Sequence, residues 1–222
     1  MGNQSGKTAW VTGASSGIGE ALVKAFVAGG GTAILSGRRV AELERVARET
    51  DAPDRCHILP FDTEDFASLG SMVAQAVAFT GRVDILVNNA GISQRSLAID
   101  TDFLVYERIV SVDLMAPIAL TQALLPHLLA QGSGQLIMIS SVAGKAGVPL
   151  RTAYCAAKHG LVGYSDALRS EIAEQGVKVL VVAPGSVRTN VSRNALNADG
   201  SVRGASDAAI DCLMTVGGLP RM

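Results

Sequence analysis

Cysteine is scarce in these 222 residues, and the three present, Cys56, Cys155 and Cys212, form no CxxC pair. Any disulfide scheme leaves one thiol over, so a stapled secreted scaffold is excluded and a reducing compartment is expected. Aromatic residues make up only 4% of the chain, which offers no stacking platform for a large flat ligand. The net charge of −1 lacks the basic excess that nucleic acid or an anionic membrane would need. The N-terminal "MGNQSGKTAW" has no apolar stretch of signal-peptide type, and Gly6 stands where myristoylation of Gly2 requires Ser or Thr. From Leu114 to Gly144 there is no Asp, Glu, Lys or Arg. Pro117, Pro126, His127 and "QGSGQ" interrupt that run, so it predicts a buried helix followed by a buried strand and not a membrane span. The expectation is a soluble, cytoplasmic protein.

What is present is apolar and periodic. Hydrophobic residues make up 48% and charged residues 18%, enough for one well-buried domain over residues 1–222. Short apolar runs, "KTAWVTG", "TAILSG", "HILPF", "VDILVNN", "QLIMISS" and "VKVLVVAPG", alternate with helix-like stretches. Helices are predicted at about 18–28, over "VAELERVARET" and "DFASLGSMVAQAVAFT", from about Phe103 to Ala130, and across "AYCAAKHG". Continuous apolar strands between helices predict a doubly wound α/β fold, a single parallel sheet covered on both faces. After Pro184 the chain turns polar and rich in small residues, which predicts a mobile substrate-loop region at about 186–210 flanked by short helices.

The glycines of "VTGASSGIGEAL" follow the first strand and open the first helix. Gly13, Gly17 and Gly19 permit a tight turn in which backbone N–H groups, with Ser15, Ser16 and Ile18 between them, approach a pyrophosphate at the positive helix end. The second strand ends in "LSGRR", without the acidic residue that holds a ribose 2′-hydroxyl. Arg38 and Arg39 follow at once, and a guanidinium suits a 2′-phosphate, so NADP(H) is the expected cofactor, with Arg38 the preferred reader. In "FDTED", Asp62, followed by Thr63, either accepts from an adenine amino group or caps the next helix. "VNNAG" brings Asn88, Asn89, Ala90 and Gly91 to the end of the fourth strand, where a cofactor can lie against small residues.

Tyr154 and Lys158 are one helical turn apart on one face. A phenol has a reference pKa of roughly 10, and an adjacent ammonium stabilises its phenolate. Ser141, thirteen residues before Tyr154, ends the fifth strand and is placed to hold a substrate oxygen. His57, His127 and His159 lie in unrelated local settings and are read as structural. No metal-ligand spacing is present.

Together, "TGASSGIG", "NNAG", the Ser pair before "YCAAK", and "PGSVRT" resemble the short-chain dehydrogenase/reductase family in order and spacing, over residues 7 to about 190. The resemblance implies hydride transfer between NADP(H) and an alcohol or carbonyl compound. It implies Tyr154 as proton donor or acceptor, Ser141 as the group positioning the substrate oxygen, and Lys158 on the nicotinamide ribose. It places Asn89, Gly91, Pro184 and Gly185 beside the cofactor, and Val187 and Thr189 at the nicotinamide carboxamide. It also implies a homodimer or homotetramer, since the apolar helix "SVDLMAPIALTQALLPHLLA" is of the kind that packs between subunits.

Two features depart from the family. Asp113 stands where an Asn usually supports a proton relay to the lysine, which trades a donor for a carboxylate near Lys158. The final "TVGGLPRM" shows no convincing seventh strand, so a shortened end and a rebuilt tail are both open. Two other functions remain compatible with the motifs: an NADP(H)-binding regulator or scaffold with little turnover, and an epimerase or dehydratase with a tightly held cofactor.

Overall fold

The computed structural model describes residues 3–187 and 189–204. Gly2, Cys212, the terminal "TVGGLPRM" and the 205–210 part of the expected loop region lie outside the described residues.

Six strands form one parallel sheet in the order β3-β2-β1-β4-β5-β6. They are β1 (Thr8–Thr12), β2 (Thr32–Ser36), β3 (Cys56–Ile58), β4 (Ile85–Asn88), β5 (Gly134–Ile139) and β6 (Val177–Val182). Between them run α1 (Gly17–Ala28), α2 (Val40–Arg48), α3 (Leu69–Thr80), α4 (Phe103–Val110), α5 (Ala116–Gln131) and α6 (Thr152–Glu171). The strand order reverses between β1 and β4, which opens a crevice at the carboxyl edge between them, the usual ligand position in such sheets.

Alternation along each strand builds two cores. Trp10, Ile34 and Leu86 point to one face, under Leu120, Leu124 and Leu128 of α5 and Leu161 and Leu168 of α6. Their neighbours Val11, Leu35 and Val87 point to the other, under Val23 and Val27 of α1 and Leu43 and Val46 of α2. The indole N–H of the fully buried Trp10 donates to Ser36 Oγ at 2.8 Å, and that hydroxyl donates to Leu59 O at 2.7 Å, so the buried polar groups are satisfied.

The helix expected from Phe103 to Ala130 is interrupted. Ser111–Met115 form a π-helical turn between α4 and α5. Pro117 has no N–H to give the carbonyl of Asp113 four residues back, and its ring crowds that carbonyl, so the helix widens there. By length and composition alone the helical run Phe103–Gln131 could cross a membrane, but Leu120, Leu124 and Leu128 within it pack into the sheet core.

The polar stretch after β6 also differs from expectation. Residues 189–204 contain turns and isolated bridges, Gln94 with Leu196 and Leu196 with Val202, and no helix among the described residues. Asn, Asp and Gly favour turns over helix: Gly200 adopts φ 82°, and Asp199 accepts from Ser201 N at 2.9 Å. Backbone bonds fasten this stretch to the segment after β4, from Leu196 N to Ser93 O at 2.8 Å and from Asp102 N to Ala198 O at 2.9 Å.

Candidate active site

A cavity of about 570 Å³ opens at the carboxyl edge of the sheet, over the β1–β4 crevice. Its floor is the turn from β1 into α1. Gly13 holds φ 63°, and a Cβ there would lie 2.9 Å from the Cα of Ala90, so only glycine lets the ends of β1 and β4 come this close. Ser15, Ser16, Gly17 and Ile18 also line the cavity. Gly19 does not. It lies under the turn, where a Cβ would collide with the carbonyl oxygen of Gly13, so its smallness serves packing and not approach to a ligand.

Thr12, which the motif reading passed over, ties the two strand ends together. Its hydroxyl donates to Val87 O and accepts from the N–H groups of Asn89 and Ala90, both at 3.0 Å. The Asn89 side chain reaches back to Thr12 O at 2.9 Å and Gly13 O at 3.2 Å. Asn89 is therefore a brace for the glycine turn as well as part of the wall. Asn88 is buried, donating to Thr121 Oγ1 at 3.0 Å, and does not reach the cavity.

At the β2 end, Gly37 occupies the place of the missing acid, and Arg38 and Arg39 both line the cavity. Arg39 Nη2 lies 2.9 Å from Ser15 Oγ and 3.4 Å from Ser16 Oγ, which lays its guanidinium along the glycine turn. Arg38, its side chain 59% exposed, faces Asp62 with Nη1 3.7 Å from Oδ2. Asp62 also accepts from Glu64 N at 3.1 Å, so it stabilises its own turn and still presents a carboxylate to the cavity beside Thr63.

The far end holds the polar constellation. Ser141, Tyr154, Lys158 and Asp113 all line the cavity. Ser141 Oγ accepts from Ala143 N at 3.2 Å in the short turn after β5. Lys158 is buried, and its ammonium lies 5.7 Å from the Tyr154 ring centroid. Lys158 Nζ donates to Ile139 O at 3.0 Å and stands 3.1 Å from Asp113 Oδ2. That last contact is a Coulombic pair and not a well-aligned hydrogen bond. Asp113 Oδ1 accepts from Ile92 N at 2.8 Å. Burial pushes the Asp113 carboxyl above the ordinary carboxylate range, and the charge of Lys158 pulls it part of the way back.

Pro184, Gly185, Val187 and Thr189 form the wall after β6. Pro184 O accepts from Val142 N at 3.0 Å, and the Thr189 methyl lies against Gly17. Beyond them, Ile92, Val191, Leu196 and Val202 make an apolar end. Among the described residues no group of His, Cys, Asp and Glu is arranged to hold a metal.

Residues 7–200 match the family model described as short chain dehydrogenase. The chain is 43% identical over 210 residues to a dehydrogenase/reductase SDR family protein 7-like of Anopheles gambiae, covering 92% of this chain and 66% of that one. It is 40% identical over 202 residues to dehydrogenase/reductase SDR family member 7B of Mus musculus, covering 89% and 62%. It thus spans a little under two thirds of the length of these relatives. Among solved structures, a short-chain dehydrogenase from Streptomyces avermitilis superposes with a TM-score of 0.80 at 33% identity, over 96% of this chain and 85% of that one. An actinorhodin polyketide ketoreductase crystallised with NADPH superposes with a TM-score of 0.80 at 31% identity, over 85% and 74%.

Proposed function

The chain belongs to the short-chain dehydrogenase/reductase family, and from that premise we propose that it interconverts an alcohol and a carbonyl compound with NADP(H). The observation that carries the reading is that Tyr154 and the buried Lys158 line the same cavity as the glycine turn.

The residues fit a dinucleotide. Close packing of β1 on β4, which a Cβ at Gly13 would force apart, sets the floor of the cavity, and the N-terminus of α1 presents free N–H groups and a positive dipole end to a pyrophosphate. Gly37 leaves room at the β2 end. Arg39 and Ser15, already 2.9 Å apart, with Arg38 nearby, offer charge-assisted donors to a 2′-phosphate. The NADPH held by the related ketoreductase supports this preference.

When bound, the nicotinamide supplies or takes the hydride. Tyr154 gives its hydroxyl proton to the substrate oxygen in reduction and removes it in oxidation. Ser141 donates a hydrogen bond to the same oxygen, orienting the carbonyl carbon. The Lys158 ammonium stabilises the phenolate that forms, and is itself held in place by Ile139 O and Asp113. The apolar end of the cavity excludes water from the rest of the substrate.

Calorimetric titration with NADPH and, in parallel, NADH tests the cofactor assignment without a substrate. Tighter binding of NADPH is expected, and equal binding would remove the role given to the two arginines. Net consumption of NADPH with a panel of aldehydes and ketones, lost in Tyr154→Phe with NADPH binding retained, tests the chemistry. Turnover without net oxidation of NADPH would favour epimerisation or dehydration instead.

A further inference from the structure

Helix α6 carries Tyr154 in its first turn but starts without a side-chain cap of its own. The side chain of Arg151, which precedes Thr152, makes no capping bond. The opening N–H groups of a helix need partners from elsewhere. One comes from 59 residues upstream: Gln94 Oε1 accepts from Ala153 N at 2.9 Å. Gln94 is fully buried on the segment after β4, and it is not part of the cavity wall.

A second bond from the same segment serves the same helix end. Ser96 N donates to Leu150 O at 3.1 Å. Leu150 holds φ 65°, the left-handed region, and is the one non-glycine residue to do so among the described residues. That conformation costs about 1–2 kcal/mol for an L-residue, so the surrounding bonds must hold it. On its other side the segment supports the substrate end of the cavity. Gln94 is bridged to Leu196, with Leu196 N donating to Ser93 O at 2.8 Å and Arg95 N donating to Leu196 O at 2.9 Å. Leu196 lines the cavity.

We propose that Gln94 is a positioning residue for Tyr154: its side-chain oxygen caps α6 and fixes the turn from which the phenol projects, while the backbone of its neighbours Ser93 and Arg95 anchors the Leu196 wall. One short segment thus registers the proton-transfer group against the face that the substrate meets. This rests on the role of Tyr154 proposed above. Gln94 touches neither cofactor nor reacting atoms, so its effect falls on the geometry of proton transfer and not on binding.

The variants Gln94→Asn, Gln94→Met and Gln94→Glu separate capping from bulk. Asn is one methylene too short for its oxygen to reach Ala153 N, and Met fills the space without an acceptor. Glu keeps the acceptor at the same reach, and the N-terminal dipole of α6 favours its charge. The readouts are amide hydrogen exchange across residues 150–156, NADPH affinity, and kcat and KM for the carbonyl compound that the unmodified protein reduces best. Gln94→Asn and Gln94→Met should speed exchange in the first turn of α6 and lower kcat on the order of 10–100-fold, with NADPH affinity and KM unchanged. Gln94→Glu should restore both exchange and kcat. An unchanged kcat in Gln94→Asn, or a Gln94→Glu protein as slow as Gln94→Asn, overturns the role of Gln94 while Tyr154→Phe stays inactive. A fully active Tyr154→Phe overturns the underlying assignment instead.

Discussion

Asp113 faces two partners at once: Ile92 N donates to Oδ1 at 2.8 Å, and the Lys158 ammonium stands 3.1 Å from Oδ2 as a charge partner. A carboxylate is acceptor-only on both oxygens, whereas an amide in the same place has one acceptor and one donor. Asn is therefore not a neutral replacement here, although it is the residue usual in the family. Asp113→Asn should turn its NH₂ toward either the Ile92 N–H or the Lys158 ammonium and loosen the lysine. An unsatisfied donor of this kind costs about 1–3 kcal/mol of folding stability, and kcat should fall as the lysine loses its fixed place. Steady-state kinetics checks this, and an Asp113→Asn protein as fast as its parent would show that Lys158 is held well enough without the carboxylate.

The same pair sets a pH limit. Burial raises the Asp113 pKa above its ordinary value of 3.8, with Lys158 acting against the rise. As pH falls through the raised value, the carboxyl takes a proton and one of its two acceptors is lost. The activity profile should bend down on its acid side above pH 3.8, and the bend should be missing in Asp113→Asn. A bend common to both proteins would assign it to another group.

Much of this was legible in the sequence. Six apolar runs separated by helical periods specify a parallel sheet, because each strand must be apolar on both faces to lie between two helix layers. The glycine turn, Arg38, Arg39, Ser141, Tyr154 and Lys158 come together because strand ends and helix starts in such a sheet share one edge. What local pattern could not give is contact made by chain remote in sequence. Nothing around Gly19 says that it lies against the Gly13 carbonyl and not toward a ligand. Thr12 looks like any strand residue until β4 packs beside it. Gln94 looks like a polar loop residue until α6, far downstream, offers it an N–H. Pro117 was the available sign of the widened helix at Asp113, since the carbonyl four residues before a proline goes unpaired.

The two arginines should separate by cofactor. Arg39 lies along Ser15 and Ser16, and Arg38 shares its charge with Asp62 at 3.7 Å. Arg39→Ala removes the guanidinium already directed to the glycine turn, and should weaken NADPH by about tenfold or more while leaving NADH little changed. Arg38→Ala should act in the same direction but less, because Asp62 competes for its charge. Parallel titrations of both nucleotides give the comparison. Equal losses for NADPH and NADH would place these groups away from the 2′-phosphate.

Acid stability should depend on Glu20. Hydrogen bonding from Arg45, with help from Lys24 and against the cost of burial, holds the Glu20 carboxyl down at about 2. The folded value lies below the ordinary 4.5, so the unfolded chain binds this proton more readily. The stabilisation is therefore present above pH 4.5 and drains away as pH falls toward 2. Glu20→Gln should be less stable than the parent near neutrality, with the difference shrinking at about pH 3. Urea unfolding at the two conditions measures it, and a gap that does not change with pH would mean that Glu20 acts by packing alone.

Gly13→Ala tests whether the cradle is built by contact or by backbone freedom. A methyl there faces two penalties together: φ 63° is unfavourable for an L-residue, and the new carbon lies 2.9 Å from Ala90 Cα, a backbone atom that cannot rotate away. Relief requires β1 and β4 to part at their carboxyl ends, which stretches the bonds from Thr12 Oγ1 to the Asn89 and Ala90 N–H groups. The floor of the cofactor site and the brace beneath it are the same atoms, so both properties should fall. A loss of about 2 kcal/mol or more in unfolding free energy is expected, with NADPH binding weakened in parallel. Gly70, where a Cβ meets nothing within 4 Å, provides the control. Gly70→Ala lies inside α3 and should stabilise slightly through helix propensity without touching NADPH affinity. Lost stability with intact nucleotide binding in Gly13→Ala would mean that the pyrophosphate is held elsewhere than at this turn.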